Sequence, residues 1–244
     1  MRRMPAALLL LLGVLVAALA QGRESVPFGQ GLLFRVSAVG APACYLFGTI
    51  HSRDAEVSKL VAEVRPVLEQ TGSFVMELVP GTGAVLESML VMIQTDGRTL
   101  EDAIGADLYL RTVQAMERRG FPESAIRDFK PWAAMVLLSL PPSTDGEILD
   151  HQLYRLSQKL GKKVKGLETV RDSLSESDQI RLLQDALDIQ DELPKILQRL
   201  LMTYLDQDLD GLMRLSDDYL KSENDSVALR FQEQVVHRRN RRMA

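Results

Sequence analysis

The stretch Ala43–Glu77 restricts what this chain can fold into more than any other. Ala43-Cys44-Tyr45-Leu46-Phe47 is an apolar run rich in strand formers, and Gly48-Thr49 ends it in a turn that delivers His51 to the mouth of the strand. Val57, Leu60, Val61, Val64 and Leu68 then recur at helical spacing. Phe74–Leu78 is a second short apolar run and carries one carboxylate, Glu77. Strand, helix and strand in about 35 residues predict a βαβ unit with parallel strands whose carboxyl ends face the same way. Ligands of open α/β sheets bind at those ends. His51 and Glu77 are therefore candidates for half of a site.

The flanking sequence places this unit in a larger domain, 31–244. Gly31–Ser37 reads as a strand, and Val39-Gly40-Ala41-Pro42 turns it into the one that ends at His51, predicting a hairpin. Pro80-Gly81-Thr82-Gly83 breaks the chain after Glu77. A helical portion follows over about 84–160. Leu86, Met89, Leu90 and Ile93 form one stripe, Thr99 opens a short helix, Leu108–Arg119 is a third, and Pro131 begins a fourth at the position that tolerates proline. The methionines Met89, Met92, Met116 and Met135 read as core filling. Asp145–Lys159 is amphipathic, with Asp150 near its start and His151 off the apolar stripe, facing solvent. Gly161–Glu168 is a helix stop and a short strand. It leaves Glu168 either facing the same crevice as Glu77 or capping the next helix with Thr169. From Ser177 the pattern is helical. The expected class is α/β in the mixed α+β sense, with a small mixed sheet and a majority of helix.

Met1–Ala20 reads as a signal peptide: Arg2 and Arg3 form the positive region, Ala6–Ala17 the apolar one and Ala18-Leu19-Ala20 the small-x-small cleavage site. Its uncharged run of about 15 residues is shorter than the roughly 20 that span a bilayer. Cleavage would leave no stable transmembrane span and a flexible lead-in at 21–30, and the protein is expected to be exported, either periplasmic or secreted. Loss of the two arginines takes the formal charge from −4 to −6, which argues against nucleic acid as a partner. Cys44 is the only cysteine, so no internal disulfide can form; mid-strand, it is expected to be a buried small hydrophobe. The chain has no Gly-x-Ser-x-Gly elbow, no His-Glu-x-x-His, no Walker A loop and no dinucleotide fingerprint.

Leu46-Phe47-Gly48-Thr49-Ile50-His51 resembles the first GxxH motif of the TraB/GumN family, whose animal relatives are the TIKI-type secreted metalloproteases. Four further stretches resemble that family in the same order: Lys130-Pro131-Trp132, Asp150 at a helix start, Gly166-Leu167-Glu168-Thr169, and Arg239-Asn240 ahead of Met243-Ala244. Tyr204 and Asp208 match a Tyr…Gly-Asp region in which Gln207 stands in place of the glycine. The resemblance implies a metal-dependent hydrolase, peptidase-like, using a divalent ion of the Mn, Co or Zn class. His51 would be a metal ligand, Glu77 a ligand or general base, and Glu168 a second catalytic carboxylate. Gly48, Asp150, Arg239 and Asn240 would be supporting motif residues. The family pattern runs on into a strand and a second GxxH, which the sequence ending at Ala244 lacks. Two expectations follow. One is an incomplete copy of a metallohydrolase acting on a peptide or another, polysaccharide-related, substrate. The other is a non-catalytic exported binding or accessory protein on the same fold.

Overall fold

The computed structural model describes residues 27–81, 89–141, 146–167 and 174–220, together with 233, 237 and 241. The expected signal segment 1–20, most of the lead-in, Leu86, Glu168, Arg239 and Asn240 lie outside the described residues. In chain order the elements are β1 (Leu33–Val36), β2 (Cys44–Phe47), α1 (Ala55–Gln70), β3 (Ser73–Met76), α2 (Leu100–Ile104), α3 (Ala106–Glu117), α4 (Glu123–Ile126), α5 (Pro131–Ser139), α6 (Leu149–Lys159), β4 (Lys163–Gly166), α7 (Glu176–Asp188), α8 (Leu193–Leu205) and α9 (Leu209–Leu220). The protein is thus predominantly helical with small sheets, as the residue pattern predicts. Among the described residues no helix is long and apolar enough to cross a membrane.

The strands pair differently from the expected βαβ unit. β1 and β2 form the predicted antiparallel hairpin, with Leu33 opposite Phe47 and Val36 opposite Cys44. β2 and β3 are not bonded to each other; the parallel partner of β3 is β4, with Met76 level with Gly166. A glycine permits this pairing. A Cβ on Gly166 would stand 3.3 Å from Val79 Cγ2, a tight contact, so a residue without one lets the end of β4 lie this close to the chain leaving β3 with no shift of Val79. The Leu167 amide then donates to the carbonyls of both Met76 and Glu77, at 2.9 and 3.1 Å.

Cys44 is exposed, contrary to the expected buried position. Side chains alternate across a strand. Tyr45 and Phe47 take the more buried positions of β2, which leaves Cys44 with Leu46 (61% exposed) on the other. Met89 and Leu90 are also exposed rather than packed, although Met116 and Met135 are core residues as expected.

Two apolar clusters hold the helices. The first gathers Leu100, Met116, Ile126, Met135, Leu138, Leu182 and Leu183 from α2 to α5 and α7. Its helices start where the sequence predicts. Thr99 and Asp102 form a capping box on α2, and Pro131 occupies the first turn of α5. The Arg119 guanidinium closes the other end of α5 by donating to the carbonyls of Leu137 (3.0 Å) and Leu140 (2.7 Å). The second cluster joins Val57, Leu60 and Val64 of α1, Leu149 and Leu153 of α6, Leu193 to Tyr204 of α8, and Leu209 to Leu215 of α9. The candidate site is built on this second cluster.

Candidate functional site

α1 and α6 lie side by side, and α6 packs against β3 and β4. Their direction follows from side-chain bonds at both ends. At the carboxyl ends, Lys162 Nζ donates to the carbonyls of Glu69 (2.8 Å) and Thr71 (2.6 Å). At the amino ends, Arg53 donates to the Gly146 carbonyl at 2.9 Å and Gln152 Nε2 to Ser58 Oγ at 2.8 Å. The two helices are therefore parallel to each other and run back along β3 and β4. Their amino ends share one edge with the carboxyl ends of those strands. That edge holds the His51 turn, Asp150 and Glu77, and it is where ligands of α/β sheets bind.

The turn itself is tightly held. Gly48 is buried, and its amide extends the hairpin by donating to the Leu32 carbonyl at 2.9 Å. Its carbonyl accepts the Tyr204 hydroxyl at 2.8 Å, across 156 residues of chain. Thr49 Oγ1 donates to Asp150 Oδ1 at 2.7 Å. The Ser52 amide donates to the Ile50 carbonyl at 2.7 Å, so His51 stands at the apex of a three-residue turn, its side chain exposed. Asp54 then caps α1 through the Glu56 amide at 2.8 Å. Gly146 completes the junction with a φ of 124°, and a Cβ there would stand 3.2 Å from the Arg53 carbonyl.

The electrostatics centre on Asp150. Its Oδ2 is buried without a hydrogen-bond partner, while Oδ1 holds Thr49. Burial, and then the Asp150 charge, push the Tyr204 phenol well above the usual tyrosine range. Glu77 follows β3 directly and is half-buried. His151 is exposed, as its place off the apolar stripe predicts.

Of the sequence candidates, Gly48, His51, Glu77 and Asp150 come to this one edge. Tyr204 and Thr49 were not singled out as site residues. The signal for Tyr204 was its place in the stripe Ile196, Leu200, Tyr204, where a hydroxyl on a buried face needs an acceptor. An imidazole with carboxylates is a donor set of the kind that binds divalent ions, and the unpaired oxygen of Asp150 is a buried acceptor still lacking a partner. Among the described residues, no group of three or more His, Cys, Asp and Glu side chains could hold a metal ion. Elsewhere, a cleft between α8 and α9 is lined by Arg199, Thr203, Asp208, Gly211 and Arg214. Arg214 is paired there with Asp210 and Asp208, so the cleft largely neutralises itself.

Neither the curated proteins nor the solved structures provided a match. The TraB/PrgY/gumN family matches residues 32–244, from the start of the hairpin onward. With nearly the whole of its sequence covered, and with the GxxH turn, Asp150 and Tyr204 joined in the fold, the chain belongs to the TraB/PrgY/gumN family.

Proposed function

We propose that this chain is an exported hydrolase, metal-dependent and peptidase-like, working at the edge that carries His51, Asp150 and Glu77. The observation behind the reading is the bond that ties the GxxH turn to Asp150 at the amino end of α6, on the edge where β3 ends and Glu77 follows it. On this reading the ion is a divalent one of the Mn, Co or Zn class, with His51 as first ligand and Glu77 as ligand or base. Such an ion would lower the pKa of a bound water to about 7 and polarise the bond to be cleaved. This chain's own contribution is positional. The exposed imidazole is offered at the apex of a braced turn. A Glu77 carboxylate not used as a ligand takes the proton of the attacking water. α6 begins without a side-chain cap, and its first amides favour negative charge developing at the same edge.

The test is metal uptake and peptide cleavage by the purified chain after exposure to Mn2+, Co2+ or Zn2+. His51→Ala should lose at least about tenfold in metal affinity, and Glu77→Gln should lose about 10²–10⁴ in rate, the range of a general base. Unchanged metal binding and turnover in His51→Ala would sink the assignment. A second reading is a non-catalytic exported accessory protein on the same fold. Wild type that takes up no metal and cleaves nothing would select it.

A further inference from the structure

We propose that Tyr204, Thr49 and Asp150 are positioning residues, a clamp from α8 and α6 that fixes where the His51 imidazole stands. The hydrolase reading enters only in naming His51 as the working group. Within the turn, backbone bonds do little to fix it. Beyond the Gly48 amide the only internal one is the short bond from Ser52 to Ile50. After His51, Ser52 Oγ accepts the Asp54 amide and Arg53 reaches the Gly146 carbonyl; before it, two side chains on helices far away in sequence act on one peptide unit. The carbonyl of Gly48 is held by Tyr204, while the side chain of Thr49 is held by Asp150. Bonded on both sides, this unit is restricted in its rotation, and His51 follows it by two residues.

Neither residue is explained by stability alone. Tyr204 is 3% exposed and its ring fills the second cluster, where a Phe would serve equally as an apolar filler. Its hydroxyl is buried to reach one acceptor, the Gly48 carbonyl. Asp150 keeps one oxygen buried and unpaired while the other accepts a single bond from Thr49. A half-satisfied carboxylate at a buried position lowers stability. What it supplies is the place of Thr49, and so the path of the turn.

The experiment compares amide hydrogen exchange at 49–53 with that of α3 and α7, in wild type and in Tyr204→Phe, Thr49→Val, Asp150→Ala and Asp150→Asn. Exchange at 49–53 should rise about tenfold in the first three, the factor for one lost buried hydrogen bond. Asp150→Asn keeps an acceptor for Thr49 and should restore wild-type protection of the turn. Asp150→Ala also removes the unpaired oxygen, so its melting temperature should stay within about 2 °C of wild type. A rise spread evenly over α1, α6 and α8 with a fallen melting temperature would reduce these residues to packing. Exchange at 49–53 unchanged within about twofold in all variants would also overturn the clamp. Zn2+ uptake, measured alongside, separates the two readings. Wild type that takes up no Zn2+ defeats the hydrolase reading and leaves the exchange result intact. Uptake with an unaltered turn defeats the clamp alone.

Discussion

The two apolar clusters of this protein are made of the same residue types but are built in opposite ways. The cluster around Met116 and Leu182 is all helix. Its buried hydroxyls are satisfied one turn back along their own helices: Thr112 bonds the Leu108 carbonyl, and Ser139 that of Met135. The cluster around Tyr204 draws on 32–64, 149–153 and 189–215, and its edge is polar. There a phenol reaches across 156 residues to a backbone carbonyl, and a carboxylate keeps an unpaired oxygen. In the first cluster the buried groups are bonded locally, save the Trp132 indole nitrogen; in the second, polar groups are bonded across the fold at positions that packing alone would not choose. Scaffold and candidate site are thereby divided between two clusters whose segments alternate along one chain.

The largest effect that tests this division is in the first cluster. Leu182 is fully buried, and Leu182→Ala should destabilise by about 3 kcal/mol through lost transfer energy and the cavity left behind. Trp132, the only tryptophan, packs on that cluster, so its fluorescence during urea unfolding reads the change. Under native conditions the exchange of amides 49–53 should not follow. If it rises with the loss of global stability, the two clusters are one cooperative unit and the division fails.

The first cluster was legible in the sequence because its information is local. Thr99 with Asp102, Pro131 and the spacing of Leu108–Arg119 are signals within one turn or one helix, and each element formed where they point. The hairpin was legible for the same reason. The parallel pairing was not. A strand–helix–strand pattern cannot say which strand lies next to β3, and the answer rests on a close approach at Gly166 between segments about 90 residues apart. Cys44 was misplaced because alternation fixes that it lies opposite Tyr45, not which face is covered. His51 and Asp150 could be named by motif, and Glu77 by its place in a short apolar run. The bond between Thr49 and Asp150, and that between Tyr204 and Gly48, are tertiary facts that no local pattern carries.

A pH titration sharpens the comparison with an intermediate effect. Each cluster contains a buried tyrosine. Burial, then the Glu123 carboxylate that accepts its hydroxyl at 3.0 Å, push Tyr109 up to about 12. Tyr204 is raised further, by burial and by Asp150. A raised phenol pKa means that the fold favours the protonated form. The stabilisation is complete below the unfolded value near 10 and is lost as pH climbs through the folded value. Stability should therefore hold up to about pH 10 and fall beyond it. Tyr204→Phe should flatten that fall more than Tyr109→Phe, measured by urea unfolding across the alkaline range. The reverse order would mean that the phenol of the helical cluster is the more strongly protected one.

The smallest effect lies where the chain departs from the Tyr…Gly-Asp pattern. Gln207 follows α8 with a φ of 54°, a left-handed conformation that a side chain disfavours and glycine adopts freely. The position is held from both sides. The Gln207 amide donates to the Tyr204 carbonyl and its own carbonyl accepts the Gly31 amide, each at 2.9 Å. The next residue, Asp208, starts α9 by accepting the Gly211 amide at 2.8 Å. The chain cannot relax there without disturbing either the end of α8 that carries Tyr204 or the start of the hairpin that carries Gly48. Strain is retained because the neighbours over-determine it. Gln207→Gly should relieve it and stabilise by about 0.5–1 kcal/mol, net of the greater freedom glycine gives the unfolded chain. Gln207→Ala removes the same polar side chain but keeps a Cβ, and should yield no such gain. Equal gains from the two would trace the effect to the glutamine side chain instead of the backbone. A gain confined to glycine, together with slower exchange at 49–53, would show that strain beside Tyr204 is felt at the turn that carries His51.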